Sequence, residues 1–175
     1  MEEKPHSFSP DRLNDAFGFA TIVAGIDSCK HVFAHPFLQI NWFEASFLVY
    51  FFIFRTKMYL DDAAHSFDNR RKLDLWTAVA SWIAFVISGS SIEVDKYISI
   101  SWFIIGLIIS LFWIVISYVN SDHRAKLRIY ALANILHCGL LLWAIYSDRA
   151  LPFIVGIVLV AGECAVEGRH RSQRQ

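Results

Sequence analysis

Charge is scarce in this sequence. Asp, Glu, Lys and Arg make up only 18% of the 175 residues, against roughly 25% in an average soluble domain. The charges that exist are clustered, which leaves runs of about 16 to 23 residues nearly free of them, long enough for an α-helix to cross ~30 Å of hydrocarbon. Cysteine is sparse as well: Cys29, Cys138 and Cys164 are isolated, so a disulfide-stapled secreted scaffold is excluded. The apolar runs lack the polar–apolar alternation of barrel strands, which excludes a β-barrel. Internal repeats, low-complexity tracts, a Gly-x-Ser-x-Gly elbow and a nucleotide-binding loop are all missing. A formal net charge of +0 leaves nothing to drive nucleic-acid binding.

What the chain has in quantity is hydrophobicity, at 55%, with 15% aromatic residues. Its distribution in long runs excludes a soluble globular domain. The expected fold is all-α, a polytopic integral membrane helical bundle with six transmembrane helices. Five spans are plain: Pro36–Phe54, Leu75–Ile92, Tyr97–Val119, Ile129–Tyr146 and Leu151–Val166. A sixth, polar span precedes them around Ala16–Ile26. There Ser9-Pro10-Asp11 reads as an N-cap with proline at the first helical position, and Asp27 lies three and four residues before Lys30 and His31, so these charges offset one another on one face. The acidic start Met1-Glu-Glu-Lys-Pro-His6 does not read as a cleavable signal. One bundle domain over residues 10–167 is expected, with a short tail at 1–9 and a basic tail at 168–175.

Basic residues set the expected orientation. With six spans and both termini inside, thirteen of the sixteen Lys and Arg fall on the cytoplasmic side, and only Lys30, Lys96 and Arg149 fall outside. Five spans with the N-terminus outside would still leave eleven inside. Trp76, Tyr118 and Tyr130 fall near inner ends and Tyr97, Trp102, Trp143 and Tyr146 near outer ones, the depth amphipathic rings prefer. A bacterial plasma (inner) membrane is the simplest location. The short connections Gly89–Lys96, Asn120–Arg128 and Ser147–Ala150 require consecutive helices to be antiparallel neighbours.

A charge at bilayer depth must face protein, water or a partner. Counted from Pro36, Glu44 lies near the middle of its span with Asn41 on the same face; His137, with Asn134 three residues earlier, lies near the middle of another. A Glu44–His137 contact is therefore expected, either as a proton- or cation-linked site or as a hydrogen bond joining two helices. Glu163 and Glu167 form an i, i+4 pair within reach of headgroups and of Arg169 and Arg171. Ser81, Gly106 and Ser110 read as small residues that allow close helix packing. Asp27, His31 and His35 share a face and read as an interfacial cluster rather than a metal site.

The segment from Arg55 to Lys72 is the richest in chemistry. If its helix continues beyond the membrane, Asp61, His65 and Asp68 share one face, beside Asp62, Arg70 and Arg71. That set offers ligands for a divalent metal and cations for phosphate; the alternative is that the basic residues fix topology and the acids make local ion pairs. Asp61–Lys72 faintly resembles the aspartate-rich loop of the UbiA prenyltransferase family, which would imply chemistry on a phosphorylated isoprenoid. His65 stands where that family repeats an aspartate, no second aspartate-rich loop follows, and the chain is short for that bundle, so the chain is not assigned to that family.

The expectation for function is a non-enzymatic bundle, channel-like or a sensor/effector subunit, working as a homo-oligomer or with a cytosolic protein partner and needing no cofactor. The alternatives are a divalent-metal-dependent enzyme acting on a phosphorylated lipid or isoprenoid, and a small proton-coupled transporter.

Overall fold

The computed structural model describes residues 10–34, 40–63, 72–119 and 124–172; within its helices the side chains of 10–14, 31, 61–63, 72–74, 117–119, 124–126 and 166–172 lie outside that description. Among the described residues there are six helices and no strand: α1 (Pro10–Val32), α2 (Trp42–Ala63), α3 (Lys72–Ser91), α4 (Lys96–Val119), α5 (Arg124–Ser147) and α6 (Leu151–Ser172). The all-helical class read from the sequence is correct. By length and composition, two helices are long and apolar enough to cross a membrane, over Lys96–Ile116 and Leu127–Ser147; Leu75–Ser91 and Leu151–Ala165 are shorter apolar stretches.

Helix α2 departs from the expected Pro36–Phe54 span for a local reason. The Asn41 side chain caps it, Oδ1 accepting the Phe43 N–H at 3.1 Å while Nδ2 donates to Glu44 Oε1 at 2.7 Å. This is an N-cap, which satisfies one of the first-turn amides and holds an acid at the positive end of the helix. The helix therefore starts at Trp42, and its register moves toward Arg55 and Lys57.

Principal contacts run in a closed circuit, α1 to α2 to α6 to α5 to α4 to α3 and back to α1. The three short connections do join neighbours, whereas α1 packs on both α2 and α3. Within the circuit, α2 supplies Phe47, Leu48, Tyr50, Phe51 and Phe54, all 2% exposed or less. They meet Phe85 of α3, Phe103 of α4 and Phe153 of α6. Phe103 is the hub, with ring centroids 4.9 to 6.1 Å from Phe85, Phe54, Tyr50, Phe51 and Phe47, a spacing that favours tilted and edge-on ring pairs.

Serine hydroxyls tie the α1–α3–α4 side. Ser88 and Ser99 donate to each other's carbonyl oxygens at 2.8 and 2.6 Å, Ser81 donates to Gly106 O at 3.0 Å, and Ser28 of α1 donates to Gly89 O at 2.6 Å. Small side chains let these backbones approach, and each hydroxyl is satisfied, as the packing reading of Ser81 and Gly106 expects. The Asp27–Lys30 pair of α1 also forms, at 3.0 Å on an exposed face. Outward faces of the bundle are apolar: Ile22, Val23, Ile108, Phe112, Leu142 and Val158 are all more than 40% exposed.

Candidate functional site

Residues four and seven positions apart share a helix face. On α2 that stripe is Tyr50, Phe54 and Lys57; on α5 it is Tyr130, Asn134 and His137. The two stripes and Glu163 of α6 meet inside the bundle.

His137 is fully buried and both of its ring nitrogens are engaged, Nδ1 2.8 Å from the Tyr50 hydroxyl and Nε2 3.1 Å from Glu163 Oε1. The second carboxylate oxygen, Oε2, lies 3.1 Å from Lys57 Nζ, and both members of that pair are buried, at 8% and 9% side-chain exposure. An ionised carboxylate only accepts hydrogen bonds, so the neutral imidazole carries its proton on Nε2 and its Nδ1 accepts from Tyr50. One tautomer satisfies every contact in the chain Tyr50–His137–Glu163–Lys57. Lys57 and Glu163 bring one cation against one anion, which removes most of the cost of burying either alone.

Aromatic rings wall the chain. Phe54 stands edge-on to the imidazole at 4.8 Å, Tyr50 is tilted at 5.7 Å, and Lys57 Nζ lies 5.2 Å over the Tyr130 ring. Gly156 of α6 makes the approach of Tyr50 possible, because a Cβ there would lie 2.6 Å from the tyrosine ring. One turn from His137, Asn134 Nδ2 donates to Ser110 Oγ of α4 at 3.2 Å, so Asn134 joins α5 to α4.

These contacts correct the expected Glu44–His137 pair. Glu44 lies in the first turn of α2 and bonds Asn41, which belongs to the cap, while His137 takes Glu163 and Tyr50. Glu163 turns inward to Lys57 and His137 rather than out toward headgroups. Two members of the site, Tyr50 and Lys57, were not singled out by the sequence: Tyr50 reads as one more aromatic in an apolar run, and Lys57 reads as a topology charge. Their spacing of seven with Phe54 between them was the available signal.

Asp61 and Asp62 fall in the last turn of α2, but their side chains, and His65, Asp68, Arg70 and Arg71 entirely, lie outside the described residues. Among the described residues no three His, Cys, Asp or Glu side chains gather as a metal group would require. No protein-family model, curated protein or solved structure matches the chain.

Proposed function

We propose that the chain is a multi-pass membrane protein whose six helices cross the bilayer with both termini cytoplasmic, and that it is a non-enzymatic, proton-responsive sensor/effector subunit. The observation that carries this reading is the sharing of one buried carboxylate, Glu163, between Lys57 and His137. Ionisable groups from α2, α5 and α6 converge on one atom pair. A proton taken up there cancels the charge that holds the three helices together and leaves Lys57 unopposed, so the packing of these helices responds to protonation.

Two features support a sensor over an open pore. The rings of Phe47, Phe103 and Phe153 close the core beyond Tyr50 on the side away from Lys57. In addition, Lys57 lies in the second half of α2 and Glu163 in the second half of α6. Under the basic-residue orientation both helices then lead to the cytoplasm, the side on which a protein partner would meet them. Apolar outer faces on α1, α4, α5 and α6 supply the surface that acyl chains cover.

The test is a distance measurement against pH. Leu60 of α2 is 60% exposed and Cys164 of α6 is exposed. Spin labels at Leu60→Cys and Cys164, with Cys29 and Cys138 changed to Ser, report the separation of α2 and α6 in liposomes. Two pH-dependent distances in the otherwise native chain, collapsing to one in Glu163→Gln, are expected. One unchanging distance at every pH overturns the reading.

A further inference from the structure

The inward stripes of α2, α5 and α6 close in one direction along the bundle. On α2, exposure falls from 8% at Lys57 to 2% at Phe54, 1% at Tyr50 and 0% at Phe47. On α6 it falls from 9% at Glu163 to 2% at Val160 and 1% at Phe153, and on α5 from 8% at Asn134 to 0% at His137 and Ala144. The three gradients run the same way, since Lys57 meets Glu163 and Tyr130 while Phe47 meets Phe153. The bundle is therefore loosest around Lys57 and shut beyond Tyr50.

Polarity follows exposure. Lys57, Glu163 and Asn134 lie at the looser end, whereas Tyr50 is followed by Phe103 and Phe153, and His137 by Leu141, none of which has a side-chain atom that can give or take a proton. Charged side chains at membrane depth face protein or water rather than acyl chains. The small opening at Lys57 and Glu163 accordingly leads to the aqueous side.

The groups that face the Glu163 carboxylate are Lys57 from α2 and His137 from α5; Tyr50 stands behind His137, Tyr130 faces Lys57, and Cys138 acts on Tyr50. In the tautomer derived above, His137 already holds a proton on Nε2, and its Nδ1 lone pair is taken by the Tyr50 hydroxyl. A proton arriving from water therefore bonds to the Glu163 carboxylate, which becomes a neutral acid while Lys57 remains an ammonium. Transfer past His137 would have to leave through the Tyr50 hydroxyl, beyond which no side chain accepts it.

We propose that the chain Tyr50–His137–Glu163–Lys57 is a one-sided proton site, open to water at Lys57 and closed at Tyr50, which reads pH on the Lys57 side of the membrane alone and carries no proton across. In the orientation proposed above, that side is the cytoplasm. The inference rests on the proton-responsive reading of the same site and adds which compartment is sensed.

Acid applied to one face of proteoliposomes tests it, using the α2–α6 spin-label pair at Leu60→Cys and Cys164. Cleavage of a C-terminal tag by external protease first counts the chains whose Lys57 side faces out, because α6 runs from Glu163 toward its C-terminal end on that side. Acid on both faces should shift the distance in every chain. Acid outside alone, with lumenal pH held, should shift only the fraction whose tag is cleaved, and a lumenal pH dye should report no proton entry above that of empty liposomes. A shift of all chains by outside acid at constant lumenal pH overturns the proposal, as does proton entry that Glu163→Gln removes. No shift with acid on both faces overturns the proton reading itself, and this inference with it, so the two failures are told apart.

Discussion

The Tyr50 hydroxyl meets Nδ1 of His137 at 2.8 Å although 87 residues separate them in the chain. This bond fixes the imidazole tautomer and thereby which nitrogen serves Glu163. Tyr50→Phe keeps the ring against Phe54, Phe103 and Phe153 but leaves Nδ1 without its donor. The expected loss is about 1–3 kcal/mol, the cost of an unsatisfied buried acceptor. Tyr50→Ala adds a cavity and should cost about 3–5 kcal/mol. Thermal unfolding in one detergent distinguishes the two.

Lys57 and Glu163 should be strongly coupled. Removing either partner of a buried pair strands the other, so Lys57→Met and Glu163→Leu should each destabilise by about 3–5 kcal/mol. The double variant should lose much less than their sum, because two apolar side chains then replace two compensating charges. A double-mutant cycle on unfolding free energies measures this, and additive losses would show that the pair contributes nothing beyond packing.

The glycines of α6 should split by position. At Gly156 a methyl group would press on Tyr50, whereas at Gly162 nothing lies within 4 Å. Gly156→Ala should therefore destabilise by about 1–3 kcal/mol as an overpacked site. Gly162→Ala should stabilise by about 0.5–1 kcal/mol, because it restricts the unfolded chain and suits a helix. The same unfolding assay reads both, and gains at both positions would place Tyr50 elsewhere.

How far the sequence led follows from these residues. The rule that intramembrane ionisable groups need partners singled out His137 and Glu163, and both belong to the site. It mispaired His137 because depth was counted from Pro36; the Asn41 cap starts α2 at Trp42 and leaves Glu44 in its first turn. That signal was present as Asn-x-x-Glu before an apolar run. Lys57 was harder to see, since a basic residue near a helix end normally marks topology, and only the inward register of α2 buries it. Helical class and the neighbour relations of α3 to α6 came from run lengths and short links, which are local properties. Placement of α2 against α6 was not legible, because it depends on side-chain fit, of which the Tyr50–Gly156 approach is one instance.

Six spans require both termini on one face, whereas five would separate them. Reporter fusions at each end should therefore give the same compartment signal, cytoplasmic by the bias of Lys and Arg. Opposite signals would mean that α1 does not cross and would overturn the six-span reading.

The opposite end of the bundle should show its own pH dependence. Asp148 lies just after α5 and takes Lys96 Nζ at 2.7 Å and the Tyr97 hydroxyl at 3.1 Å, tying the start of α4 to the α5–α6 link. The Lys96 hydrogen bond holds the Asp148 carboxyl below its usual range, and the Tyr97 bond acts in the same direction. The sign follows. A carboxyl depressed in the folded chain contributes fully above the ordinary carboxylate value of about 3.9, and that contribution is lost as pH falls through the lower folded value. The Asp148 side chain is 55% exposed, against 20% for Lys96, so the contribution is screened by salt. Asp148→Asn is the matched control: Asp148 has φ 49°, and asparagine tolerates that left-handed conformation as well as aspartate does. The native chain should exceed Asp148→Asn in melting temperature at neutral pH and low salt, with the gap closing in acid. A gap that persists unchanged below the carboxylate range would show that Asp148 holds the link by backbone geometry rather than by its charge.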